Sequence, residues 1–208
     1  MLKRDRFFAV SARDGSMKPD EFLGDGLWWG DTRILSAFRV HINGKEPQPV
    51  GLQADDSSAT FELDANGLRV TRVRFLESGI REEITVANRA ETTADVVLEI
   101  EIGADFAAML GIRGAVPQLA SPAPIAPSEA AGGVRFARAG HATRVTAVPE
   151  GFLHRRRLGP GEDFTLHVDV ALEPATPPAS SRRRSEPPET CIRGGRKTAC
   201  RSAPTTPP

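Results

Sequence analysis

The 208-residue sequence has only two cysteines, three methionines, no tyrosine and no net charge, its 27 lysines and arginines balancing 27 aspartates and glutamates. Each scarcity excludes something. Without a basic excess there is no electrostatic footprint for a phosphate backbone, so nucleic acid is not an expected partner. No apolar run approaches the roughly 18 residues a spanning helix needs, so no membrane partner is expected. The start, Met1-Leu2-Lys3-Arg4-Asp5-Arg6, carries charge with no apolar stretch behind it. No secretory signal is therefore expected, and a cytoplasmic location is. The sequence has no Gly-x-x-x-x-Gly-Lys-Ser/Thr loop, no Gly-x-Ser-x-Gly elbow, no His-Glu-x-x-His and no Cys-x-x-Cys. The strongest nucleotide, hydrolase and metal signals are thus missing, and no cofactor or metal is expected.

What is scarce is also unevenly spread. Residues 174–208 hold both cysteines (Cys191 and Cys200), eight of the 17 prolines and seven of the basic side chains against Glu186 and Glu189. That stretch has no aromatic residue, and Ile192 is its one large aliphatic. It cannot bury enough apolar surface to offset chain entropy, so disorder is expected. Its thiols are expected to be free, and zinc would need four ligands where the tail offers no histidine. The expected organisation is a folded body over 1–173 and a Pro/Arg-rich tail over 174–208.

The body reads as all-β. Phe164, Leu166, Val168, Val170 and Leu172 alternate with Thr165, His167, Asp169, Ala171 and Glu173, a period of two that puts five apolar side chains on one face. Val96, Leu98, Ile100 and Ile102 behave alike, as do Phe38, Val40 and Ile42. Asn43-Gly44 supplies the positive φ angles of a tight turn, which predicts a hairpin near 33–52 with an irregular returning edge around Pro47, Pro49 and Val50. Leu68 and Val70 followed by Val73 and Phe75 keep one face only if a residue slips near Thr71-Arg72, so a β-bulge is expected there. Ser78-Gly79 then turns the chain into Ile80, Ile84 and Val86. Shorter runs at 59–63, 134–138, 143–148 and 151–157 bring the total to nine or ten strands, the signature of a sandwich or barrel. Ala104–Leu110 could form a turn or two of helix before Gly111, and the prolines between Pro117 and Pro127 favour a surface loop.

Residues with reactive side chains are scattered. Four histidines (His41, His141, His154 and His167) show no ligand spacing and read as solvated. Glu82-Glu83, Glu99 with Glu101, and Asp105 are the acids available for glycosidic work, but on strands such residues usually form a soluble face. Arg155-Arg156-Arg157 and Arg182-Arg183-Arg184 read as solvated charge. One segment stands apart: Gly26-Leu27-Trp28-Trp29-Gly30-Asp31-Thr32-Arg33-Ile34-Leu35-Ser36 holds both tryptophans beside an acid and a base. Two readings stay open. Indole rings stack on sugars while Asp31 and Arg33 hydrogen-bond hydroxyls, or else a tryptophan anchors the core while Asp31 and Arg33 fix a turn.

That segment also opens a series of motifs. After it come Asn43-Gly44, Arg72-x-Arg74-Phe75, Gly79-Ile80-Arg81-Glu82, Glu99-Ile100-Glu101-Ile102-Gly103-Ala104-Asp105-Phe106 and Arg113-Gly114. In this order they resemble the N-terminal domain of bacterial glycogen debranching enzymes of the amylo-α-1,6-glucosidase type, over about residues 5–173. The resemblance implies a large antiparallel β-sandwich of the supersandwich kind. It also implies that catalysis belongs to a separate helical toroid, so this chain is expected to be non-catalytic, as a truncated or stand-alone form. Family members usually carry Phe and Tyr where this chain has Trp28-Trp29, which keeps ring bulk and removes a hydroxyl. The implied partners are a helical catalytic domain or an α-glucan, with Trp28, Trp29, Asp31 and Arg33 as the carbohydrate or interdomain site. A free-standing glucan-binding or interaction module is the alternative. Self-association is expected through an apolar face of Trp28 or Trp29 and the loop holding Phe106, Met109, Leu110 and Ile112. The switch to Arg, Pro, Ser and Thr after Glu173-Pro174 is what a frameshift or premature end in a GC-rich gene produces.

Overall fold

A computed structural model describes residues 1–19, 24–113, 123–138 and 140–173. The expectations for the tail, its cysteines, Arg182–Arg184 and the stretch from Pro117 to 122 lie outside these residues. Among the described residues there are fifteen strands, all pairing antiparallel, and one short helix. That is more than the nine or ten expected, because strands of three or four residues carry too little periodicity to be read. None of the described helices is long and apolar enough to cross a membrane.

The largest layer has eight strands. It comprises β6 (Gln48–Ala54), β7 (Ser58–Ala65), β8 (Leu68–Leu76), β9 (Gly79–Asn88), β11 (Ser128–Ala130), β12 (Gly133–Arg138), β13 (His141–Val148) and β15 (Asp163–Glu173), in the order β11-β12-β13-β15-β9-β8-β7-β6. Two smaller sheets accompany it: β5 (Ala37–Ile42), β10 (Ala94–Gly103) and β14 (Leu153–Leu158) in the order β14-β10-β5, and a meander of β1 (Leu2–Arg4), β2 (Phe7–Val10), β3 (Gly26–Trp29) and β4 (Thr32–Leu35). Leu166, Val168 and Val170 of β15, Val96, Leu98 and Ile100 of β10, Phe38, Val40 and Ile42 of β5, and Leu27, Ile34 and Leu35 of the meander are all buried in one apolar cluster. The alternation read from the sequence thus places the faces of β5, β10 and β15.

Three local expectations are corrected. Asn43 and Gly44 do turn with positive φ (52° and 75°), but β5 and β6 do not pair. Beyond the Ile42–Lys45 bridge the chain crosses from the three-stranded sheet to the edge of the eight-stranded one, where β6 runs along β7 with a register shift at Pro49/Gly51. The turn signal was local, and the pairing partner was set by the distant core. The helix is confined to α1 (Met109–Ile112), with Ala104 to Ala107 irregular. Finally, β8 has no bulge: it pairs with β7 and β9 in unbroken register. Val73 and Phe75 face outward, and Arg72 and Arg74 point into the core, both fully buried.

The loop leading out of β2 explains those arginines. Residues Asp14 to Lys18 are buried, and Met17 pairs with Phe38 through N–H···O bonds of 3.0 and 3.2 Å. A loop inside a core brings backbone carbonyls that must find donors. Arg72 Nη1 donates to Asp14 O (3.0 Å) and Arg74 Nη2 to Gly15 O (2.7 Å). Their remaining charge meets Glu82 of β9, whose two oxygens each accept one Nε–H at 2.5 Å. Both guanidinium groups also lie over Phe38 (5.1 and 5.3 Å) and Phe61 (5.9 and 5.4 Å), where the ring quadrupole favours a cation.

Candidate functional site

The segment Gly26–Ser36 forms the β3–β4 hairpin. It turns at Gly30 (φ 57°) and Asp31, with a register irregularity at Leu27/Trp28. Gly26 (φ 141°) admits no side chain, because a Cβ there would stand 2.6 Å from both Leu35 O and Arg33 Cδ. That close approach lets Arg33 lie flat inside the hairpin. Arg33 is 1% exposed and grips Asp105 with two bonds, Nε to Oδ1 (3.1 Å) and Nη2 to Oδ2 (2.5 Å), while Nη1 donates to Asp25 O (3.0 Å). Asp105 Oδ1 also accepts the Ala107 N–H at 3.1 Å. The bidentate pair fixes the start of the segment that leaves β10.

Asp31 takes a different part. It is exposed, and its backbone carbonyl accepts the Met109 N–H (2.9 Å), while Arg33 N–H donates to Ala107 O (2.9 Å). Residues 107–109 thereby run alongside β4, with Thr32 and Ala108 bridged, and α1 is laid against the hairpin. The acid and base of the motif therefore do not pair with each other. Sequence reasoning listed Asp105 among surface acids and missed it as the partner of Arg33, since 72 residues separate the two and no local pattern links them.

The two indoles also differ. Trp28 is 2% exposed, stacks on Phe8 (centroids 5.6 Å apart, planes 3° apart) and donates its Nε1–H to Gly24 O at 3.2 Å. Trp29 is half-buried with the Arg6 guanidinium 4.2 Å over its ring. Beside Trp28 opens a mainly apolar cavity of about 420 Å³ walled by Phe8, Val10, Met109 and Ile112, with Met1 and Arg113 at its edge. Trp28, Met109 and Ile112, far apart in sequence, are brought together here. Leu110 lies next to them in the chain and is 53% exposed. Phe106 instead tucks partly into the core and meets the His141 ring at 5.9 Å.

Other acids and histidines sort differently from the sequence reading. Glu82 is fully buried rather than part of a soluble face. Burial alone would raise its pKa, but Arg72 and Arg74 outweigh that and hold the carboxyl below its ordinary value. Asp105 is buried too, whereas Glu83, Glu99 and Glu101 are exposed. His154 is buried, not solvated: its ring packs on Phe164 at 5.5 Å and its Nε2 lies 2.8 Å from Gly151 O. Arg155, Arg156 and Arg157 are exposed as expected. No group of three or more potential metal ligands converges among the described residues.

No curated protein matches the sequence. A family model described as the N-terminal domain of some glycogen debranching enzymes matches residues 2–177, nearly the whole described body. With an all-β antiparallel architecture under that match, the chain belongs to the family of N-terminal domains of glycogen debranching enzymes.

Proposed function

We propose that the chain is a non-catalytic module of α-glucan metabolism, whose Trp28 end docks a helical catalytic domain of a debranching enzyme. The observation that carries this is the cavity of about 420 Å³ at Trp28, Met109 and Ile112. It is mainly apolar, Trp28 of the motif from Gly26 to Ser36 lines it, and Leu110, next to Met109 in the chain, is exposed. Burial of Trp28 and of Arg33 favours an interdomain role over sugar stacking, since a ring must offer an open face to a sugar. An apolar pocket at a surface is where a partner's side chains seat with most gain, about 25 cal/mol per Å² buried.

The non-catalytic part rests on the carboxylates. A glycosidase needs two of them held across the scissile bond, about 5–9.5 Å apart, one as a proton donor. Glu82 and Asp105 are each locked in arginine pairs, and Asp14 and Asp25 accept backbone N–H groups of Ser16 and Lys18. The purified chain should release no reducing sugar from α-1,6- or α-1,4-linked glucans above a heat-killed control. Release above that control would overturn it. For docking, light scattering over a concentration series should show self-association that Met109→Ser with Leu110→Ser removes. A strictly monomeric chain that binds no apolar dye would sink the docking face.

A further inference from the structure

Three consecutive arginines, Arg155, Arg156 and Arg157, lie on β14, the edge strand of the three-stranded sheet. On β4, β5, β8, β9, β12 and β13 an arginine has a carboxylate at 3.9 Å or less. The three on β14 have none among the described residues, and all are exposed. Asp95 of β10 stands opposite Arg157 in the ladder without forming an ion pair with it. This strand belongs to a different sheet from the Trp28 hairpin, so its case does not rest on the docking reading.

The backbone of β14 is open on one side. Val97 of β10 turns both its main-chain groups to Asn43, its carbonyl accepting the Asn43 N–H and its N–H donating to Asn43 Oδ1, each at 2.8 Å. Such groups alternate sides along an antiparallel strand, so Val96 and Leu98 turn to β14, as Ile100 does in donating to Phe152 O (2.8 Å). Their partners Arg156 and His154 are thereby used. Arg155, opposite Val97, points its N–H and C=O away from β10, and Leu153 and Arg157 do the same. Among the described residues no main-chain group pairs with these, and the Arg155 carbonyl takes only an N–H of Arg156 Nη1, at 3.1 Å. The side chains of Leu153 (49% exposed), Arg155 and Arg157 share the outer face, since the alternate residues His154 and Leu158 are buried. Arg156, on the other face, lies 4.7 Å over the Phe164 ring.

Backbone and charge together select a partner. A row of open N–H and C=O groups is completed by another polypeptide backbone, which brings acceptors and donors at the same spacing. A phosphate backbone carries no matching row of donors, and residues 1–173, with 20 basic against 25 acidic side chains, repel it overall. A second copy of the chain is excluded too, because β14 laid antiparallel on itself sets arginine beside arginine. The cationic outer face calls instead for carboxylates two residues apart, opposite Arg155 and Arg157, with an apolar side chain opposite Leu153. We propose that β14 is the docking edge for an extended acidic segment of another protein, added as an antiparallel strand with the pattern acid-x-acid-x-apolar. An N–H of the added strand takes the Arg155 carbonyl in place of Arg156.

Fluorescence anisotropy on the full chain tests this with a labelled, end-capped peptide, Thr-Glu-Val-Glu-Val-Leu-Thr. Its glutamates fall opposite Arg157 and then Arg155, and its leucine falls opposite Leu153. The peptide should bind, and Arg155→Glu with Arg157→Glu should weaken it about tenfold or more, the scale of losing hydrogen bonds between charged groups. The same peptide with lysine for both glutamates should prefer that variant to the unaltered chain. Methylating the amide nitrogen of the second glutamate should abolish binding, because that N–H meets the Arg155 carbonyl, whereas attraction of charge alone survives it. Both substitutions are at exposed positions, and an unchanged melting temperature shows the fold is kept. The Met109→Ser, Leu110→Ser variant should bind the peptide as the unaltered chain does, which separates this edge from the Trp28 docking face. No binding, binding indifferent to the charge reversal or to the methylated amide, or tighter binding of an oligothymidylate would overturn the proposal.

Discussion

Glu82 shows how one side chain can hold a fold that would otherwise refuse it. Two arginines in a core are costly, and they are tolerated because the Nε–H and one Nη–H of each reach the Glu82 carboxylate and Asp14 O or Gly15 O, although Arg72 Nη2 and Arg74 Nη1 stay buried without a hydrogen bond among the described residues. Removing one partner of such a set leaves an uncompensated buried charge. Glu82→Gln should therefore destabilise the chain by about 3–5 kcal/mol in denaturant unfolding. A loss no larger than that of a surface change would show that the loop carbonyls alone satisfy the arginines. The pH dependence follows from the same contact. Because the folded carboxyl sits below its ordinary value, its stabilisation is complete above the unfolded carboxyl value of about 4.3 and is lost as the pH falls through the lower folded value. The acid limb of the stability curve should be shallower in Glu82→Gln. Glu173, hydrogen-bonded by Arg135 and Arg144, is shifted in the same direction. It is partly open to water, and its share is screened.

At the scale of elements, the sequence was legible wherever a strand is long and one face meets the core. β15, β10 and β5 show clean alternation because their outward positions are polar and their inward ones aliphatic. β8 misled for the opposite reason. Its inward face carries Arg72 and Arg74 and its outward face Val73 and Phe75, so hydrophobicity alone inverts half the strand. What placed the arginines inside was a loop whose carbonyls lie 58 and 59 residues away, and no pattern within β8 encodes it. The Asn43-Gly44 turn was legible as a turn and illegible as a hairpin, since a turn fixes local φ while pairing depends on which sheet has an open edge. The candidate site was legible as a segment, through its paired tryptophans and glycines. Met109 and Ile112 were legible as an apolar loop expected on one face with a tryptophan, whereas the site's partners Phe8 and Asp105 come from elsewhere in the chain and only the fold assembles them.

The whole molecule raises the question of whether the small meander is a separate unit. Its buried residues Leu2, Ala9, Leu27, Ile34 and Leu35 belong to the same apolar cluster as the two other sheets. Polar links cross the boundaries as well: Arg33 to Asp105, Thr143 Oγ1 to Ile34 O (2.8 Å), Ser36 N to Gly103 O (2.7 Å) and Lys3 N to Asp56 O (2.6 Å). Opening the meander would expose apolar surface on both sides and break these bonds together, so it should not open alone. The composition makes this simple to check. With no tyrosine, and with both tryptophans on β3, tryptophan fluorescence reports the meander, while far-ultraviolet circular dichroism reports strands throughout. The two probes should give coincident denaturant transitions with one midpoint, as a cooperative domain does. Arg33→Ala, which leaves Asp105 buried without its cation, should move both midpoints down together by an amount corresponding to about 3 kcal/mol or more. A fluorescence transition that precedes the dichroism transition, or one that Arg33→Ala shifts by itself, would make the Trp28 end an independently melting unit. The docking face would then be a separately folding element rather than an extension of the sandwich core.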